Sequence, residues 1–340
     1  MKRIVLSFLI LLLLVLPSPI VQSIEKPKTS PWFRDGIYLT YAMMMPTNPK
    51  KGEVNVIEVW PKLIPAQNVL KIIGDWDESS TVTLLVYGDM YLTLKITNIT
   101  GDIAYVHIAL ELNNVSPKSG STIHKLNLNR TLILNLSDMV YYEGDGTPIG
   151  RPMFFVDLAH LPKKNDYLVY PAFLKKYGII SDSITIKNVS YTWMENKVLH
   201  THYKDFMPPY IYVDGRGRYL VYNRKTGESF DIATQLVYDM DTGVLITTGV
   251  CDITPELVSL GIVKMIALDR VNSKKLDRLI DEGKADKEWY AQGFNLYATN
   301  VEFPDYGTKH SPSTPMKYFF ALALLVLMIT FVWNERRWRR

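Results

Sequence analysis

Residues 125–137 read KLNLNRTLILNLS. Leu126, Leu128, Leu132, Leu134 and Leu136 alternate with Asn127, Asn129, Thr131, Asn135 and Ser137. Successive side chains of a β-strand point to opposite faces, so a period of two is the signature of a strand. A helix would spread these leucines around its whole circumference. The stretch therefore calls for a sheet with one buried face and one wet face, the habit of antiparallel sheets. Two glycosylation sequons, Asn129-Arg130-Thr131 and Asn135-Leu136-Ser137, put their acceptor residues on the wet side. Further sequons begin at Asn98 and Asn188, and a weaker one at Asn114, where Pro117 follows. In an exported chain these five asparagines are glycosylation candidates. A wet face that carries sugar excludes a second sheet packed upon it.

Similar patterns recur along the chain. Residues 218–250 hold the strands RYLVY, ESFDIATQLVY and VLITTGV, joined by two loops of one template, Tyr-[Asn/Asp]-x-x-Thr-Gly. Asn or Asp starts a turn by bonding nearby amides, and glycine tolerates the left-handed conformation that closes it. The loop at Tyr238–Gly243 brings Asp239 and Asp241 together like a calcium site. Counted from Asp239, positions six and twelve of such a site fall on Val244 and Val250, where it needs Gly and Glu. The sister loop has Asn223 and Lys225 in place of the two acids, so a turn is the reading. YLTLKITNIT and DIAYVHIALEL form another hairpin about Gly101, with Ala104, Val106, Ile108 and Leu110 on one face. GIYLTYAMMM, VNVIEVW and FNLYATNVEF read as strands. Residues 151–173 read as a loop or short helix covering an apolar sheet face. Thr254-Pro255-Glu256 suits a helix start, Ser273–Gly283 reads as a helix, and periodicity leaves Gly261–Leu268 open between strand and helix. The expected fold is mainly β, an antiparallel meander, half-barrel or sandwich with a few short helices, plus one C-terminal transmembrane helix.

The two ends set the expected location. Met1-Lys2-Arg3 precedes an apolar run from Ile4 to Leu16, broken only by Ser7. Thirteen helical residues reach about 20 Å, short for a membrane span, so residues 1–23 read as a signal peptide cleaved after Ser23. Residues 317–334 read as a transmembrane helix, because Tyr318 to Trp333 carries no charge and has aromatics at both ends. Arg336, Arg337, Arg339 and Arg340 in the tail 335–340 fix a cytoplasmic C-terminus by the positive-inside rule. Between the ends lie an extracytoplasmic body, 24–303, with a subdomain break placed near 141–165, and a Pro/Ser stalk, 304–316. The expected protein is single-pass in the cell membrane, with its N-terminus outside.

Charge and cysteine then exclude whole classes. Seven of the 38 basic residues and one of the 34 acidic ones lie in 1–23 and 316–340, which leaves 31 and 33, a formal charge of −2. A nucleic-acid partner is excluded, since the body has no basic excess. Cys251 is the only cysteine, so no internal disulfide framework supports an exported fold.

A signal segment, repeated Tyr-[Asn/Asp]-x-x-Thr-Gly hairpins, sequons and a C-terminal anchor together resemble archaeal cell-surface ectodomain proteins. The long meandering strands also resemble half-barrels of the lipoprotein-carrier type. That resemblance implies a concave apolar face that holds acyl chains. The expectation is a membrane-anchored protein whose ectodomain binds a lipid, another ligand or a neighbouring envelope protein without catalysis and without a cofactor.

Two alternatives stand beside it. His200 and His202 in LHTHYKD lie two apart, so on a strand both imidazoles face one way and suit a metal ion. With a third ligand from His124, His160 or Glu195 they make a metal-dependent hydrolase the second reading. An accessory subunit of a membrane complex is the third. Asp75, Asp77 and Glu78 in GDWDESS are the acids available for glycoside chemistry, with Trp76 beside them. The chain has no Gly-x-Ser-x-Gly elbow, phosphate-cradling glycine loop or His-Glu-x-x-His.

Overall fold

The computed structural model describes residues 30–44, 54–64, 81–117, 122–191, 198–220, 229–266 and 293–304. The described residues up to Val301 belong to one unit and 302–304 to another. The sheet and its interior belong to the first. The signal segment, most of the stalk, the predicted helix at 273–283, the acids near Trp76 and the predicted span 317–334 lie outside the described residues. Among the described residues no helix is long and apolar enough to cross a membrane.

The strands are β1 (Tyr38–Met43), β2 (Asn55–Val59), β3 (Val82–Val86), β4 (Met90–Thr100), β5 (Ile103–Pro117), β6 (Ile123–Asn135), β7 (Val140–Tyr142), β8 (Pro148–Gly150) and β9 (Tyr167–Val169). Helix α1 (Pro171–Lys176) precedes β10 (Ile180–Ser181), β11 (Ile184–Ser190), β12 (Leu199–His200), β13 (Asp205–Phe206), β14 (Tyr210–Leu220), β15 (Ser229–Asp239) and β16 (Leu245–Cys251). Helix α2 (Pro255–Ser259), β17 (Ile262–Ile266) and β18 (Asn295–Thr299) complete the set. Sixteen of these strands make one antiparallel sheet, and β12 and β13 pair separately as a short hairpin.

β1 and β2 run along β4 and β3, and β18 and β17 run along β1 and β2. β16, β15, β14, β11 and β9 continue the sheet on one side, and β5, β6, β7 and β8 on the other. The two ends nearly meet: Tyr170 N–H, just after β9, donates to Ile149 O in β8 at 2.8 Å. A Cβ on Gly150 would lie 2.3 Å from Leu168 O, so glycine is what lets the two ends approach. The result is a nearly closed, barrel-like sheet in place of the expected half-barrel or sandwich.

Alternation in the sequence becomes inside and outside in the barrel. Ala104, Val106, Ile108, Leu110 and Leu112 of β5 are wholly buried, and so nearly are Leu126, Leu128, Leu132 and Leu134 of β6. Each larger side chain contributes about 1.5–3 kcal/mol relative to exposure. The three strands predicted at 218–250 are β14, which already begins at Tyr210, β15 and β16 in antiparallel register, and the first predicted turn, Tyr222–Gly227, lies outside the described residues. In the second turn Asp239 Oδ2 accepts from Thr242 N–H at 2.8 Å and from Thr242 Oγ1 at 2.6 Å. Gly243 closes that turn at φ +73°, and a Cβ there would meet Val156 O at 2.2 Å. The paired acids of that loop belong to a turn.

Candidate functional site

Residues 151–157, RPMFFVD, open the segment expected as a loop or short helix; they are irregular and run through the interior, and the short helix α1 follows at Pro171–Lys176. Residues 152–157 are all buried. Every face of this strap is enclosed, which is why it shows no apolar period. A buried irregular segment has to find partners for its backbone polar groups, since no water can serve them. Two of the bonds come from the β15–β16 turn and β16: Val156 N–H donates to Gly243 O at 2.8 Å, and Leu245 N–H donates to Phe154 O at 3.2 Å. The others come from side chains. Tyr41 in β1 donates its hydroxyl to Phe154 O at 2.7 Å, and Tyr238 in β15 donates to Met153 O at 2.8 Å. Glu256 in α2 accepts from Met153 N–H at 2.8 Å and from Phe154 N–H at 3.4 Å, both on Oε1.

Helix α2 is short and wholly inside the barrel. Thr254 caps it by accepting from Leu257 N–H at 3.3 Å, with Pro255 in the first turn. Burial pushes the Glu256 carboxyl up to about 7, against the opposing pull of the Met153 and Phe154 amides and the Thr254 hydroxyl. Burial also raises the phenols of Tyr41, Tyr141 and Tyr238 well above the ordinary range, and the field of Glu256 adds to it.

A second buried glutamate is paired quite differently. Glu143 follows β7 and forms ion pairs with Arg130 of β6 and, at 2.6 Å, with Lys176 of α1. Tyr177 donates its hydroxyl to Glu143 Oε1 at 2.6 Å, and Arg130 donates to Ser259 O at 3.1 Å. Lys176 also reaches Asp145 at 2.5 Å, which draws that exposed carboxyl down to about 2. This network binds β6 and the β7–β8 turn to α1 across the barrel seam, beside the backbone bond from Tyr170 to Ile149.

The outer end of the strap opens on a cleft lined by Met139, Arg151, Phe155, Asp157 and His160 among others. The His160 Nδ1–H donates to buried Asp157 at 2.6 Å, which leaves Nε2 as the other available nitrogen. That is the orienting half of a general-base pair. Ser30 Oγ lies 3.5 Å from Asp157 Oδ1, so it is a partner of the acid and not of the imidazole. Arg151 is held by Asp166 at 3.2 Å and by His160 O at 2.8 Å.

The residues singled out in the sequence are spread over the surface. His200 ends β12, and its Nδ1 is 2.7 Å from Asp205. His202 is not on that strand. Thr201 Oγ1 accepts from the amides of Tyr203 and Lys204 and folds the chain into a turn, so the two imidazoles do not share a strand face. The His202 ring packs edge-on to Tyr297 at 6.0 Å. His124 bonds Asn114 at 3.2 Å, His160 belongs to the strap, and Glu195 lies outside the described residues. Among the described residues no group of three His, Cys, Asp or Glu is placed to hold a metal. Asn98, Asn114, Asn129 and Asn188 are exposed and Asn135 is half-buried. Cys251 is buried and takes part in no disulfide.

No protein-family model, no curated protein and no solved structure matches the chain. The geometry therefore carries the functional reading by itself. Sequence reasoning passed over Glu256 and the Arg130–Glu143 pair. One signal for the pair was present: Arg130 sits at the leucine parity of β6, an inward position that a charged side chain occupies only with a partner.

Proposed function

We propose that the chain is a membrane-anchored cell-surface protein whose β ectodomain works by binding and not by catalysis. The observation that most supports this reading is the filled interior of the barrel. The strap and α2 occupy the space where a carrier of acyl chains would hold its lipid, and large aromatic side chains pack around them. Binding then falls to the outer surface. Tyr297, 40 % exposed, packs edge-on to Tyr91 at 5.5 Å, and the Tyr91 hydroxyl reaches Met44 Sδ at 3.7 Å. With His202 these residues form an exposed aromatic cluster across β1, β4 and β18, the composition favoured at contact surfaces. The uncharged stretch from Tyr318 to Trp333 and its arginine tail support the anchor. The sequons on the wet strand faces support exposure to the cell exterior. The metal-hydrolase reading has less behind it, because His200 is engaged by Asp205 and His202 lies in the turn.

Purification of the native protein in mild detergent, followed by mass spectrometry of everything retained, tests the proposal. The expected result is a retained envelope protein or glycan, lost from a Tyr91→Ala/Tyr297→Ala variant. A stoichiometric metal ion together with hydrolytic turnover would overturn it.

A further inference from the structure

Glu256 is a wholly buried carboxyl whose two oxygens are used unequally. Its Oε1 serves both strap amides, while its Oε2 has no hydrogen-bond partner among the described residues. The groups that face it are the phenols Tyr41 on β1, Tyr141 on β7 and Tyr238 on β15, with the Thr254 hydroxyl at the start of its own helix. The Tyr141 hydroxyl is also unpartnered. The nearby charged groups are committed elsewhere. Arg130 is held by Glu143 and Ser259 O, Arg151 by Asp166, and Asp157 by His160. Asp252, before α2, accepts from Ala233 N–H at 2.8 Å.

A fully buried carboxylate needs a counter-ion or several donors; Glu256 has one good amide, one long one and the weaker pull of the Thr254 hydroxyl and its own amide, and none of these reaches Oε2. As a neutral acid it keeps Oε1 as the acceptor for both amides and replaces a bare charge with an O–H. We propose that Glu256 is a proton-binding latch: protonated it holds the strap Arg151–Asp157 inside the barrel, and loss of the proton loosens the strap. The rise of the carboxyl to about 7 through burial places the change near neutrality. The ectodomain is then tight in acid surroundings and looser in alkaline ones. The outer end of the strap, where Asp157 and His160 border the cleft, moves with it.

Hydrogen-exchange mass spectrometry on the full chain in detergent tests the latch, with intrinsic exchange rates divided out. In the wild type, protection of the Met153 and Phe154 amides is expected to fall on the order of 10²-fold between pH 5 and 9. Glu256→Gln keeps the acceptor without the charge, and its protection should stay level. Wild-type protection that does not change with pH, or an equal fall in Glu256→Gln, overturns the proposal. Should Glu256→Gln fail to fold, infrared difference spectra of the wild type decide. A buried protonated carboxyl band that vanishes between pH 6 and 8 supports the latch, and the lack of such a band at pH 5 overturns it.

Discussion

Glu143 and Glu256 are both buried acids in one barrel, and they are solved in opposite ways. Glu143 meets Arg130, Lys176 and Tyr177 and sits in an ion-pair network across the seam. Glu256 meets backbone amides and acts on the phenols of Tyr41, Tyr141 and Tyr238 only through its field, and no cation pairs with it among the described residues. Burial alone therefore does not decide what a carboxyl does. The partners decide whether it is a charge that staples strands or an acid that holds a proton.

The largest effect is expected at the seam. Arg130→Ala leaves Glu143 short of a cation in the interior and should cost about 3–5 kcal/mol in chemical denaturation. The double variant Arg130→Ala/Glu143→Ala should cost less than the sum of its parts, because the acid no longer lacks its partner. Additive losses would mean that the two residues do not act as a unit.

Glu256→Ala sharpens the contrast from the other side. It removes the acceptor of two strap amides, and the loss should be about 1–3 kcal/mol. Tyr41→Phe takes away one donor to Phe154 O while Leu245 N–H remains, so about 1 kcal/mol is expected. The smallest effect belongs to the exposed pair His200–Asp205. His200→Ala should change stability by less than about 0.5 kcal/mol, because an exposed pair is screened by water. A larger loss there would give the β12–β13 hairpin a structural weight that its exposure does not imply.

How much of this was legible in the sequence follows from how each part meets water. β5, β6 and β15 were legible because each has one wet face, and one wet face writes a period of two into the chain. The second hairpin turn was legible through Asp239, Thr242 and Gly243, whose chemistry is local. The strap was not, since PMFFVD is enclosed on every side and leaves no period to read. Glu256 was hidden for a related reason. A Thr-Pro-Glu helix start looks the same on a surface as in a core, and only the closure of the sheet around α2 makes the difference. The two ends of the sheet come together where Gly150 of β8 meets Leu168 of β9, a contact between residues with no local pattern. His202 lies off the strand because Thr201 turns the chain one residue after β12 ends.

The dependence of unfolding free energy on pH tests the account of the interior most directly. The folded Glu256 carboxyl, near 7, lies above its ordinary value of 4.5, so the folded state holds the proton longer than the unfolded chain. Its contribution is fully present below about pH 4.5, falls as pH rises through about 7, and then levels off. Denaturant titrations at pH 5 and pH 9 should show the wild type losing about 3 kcal/mol more than Glu256→Gln. Equal losses in the two proteins, or a wild type that gains stability toward pH 9, would contradict the reading of Glu256 as a buried proton-holding acid.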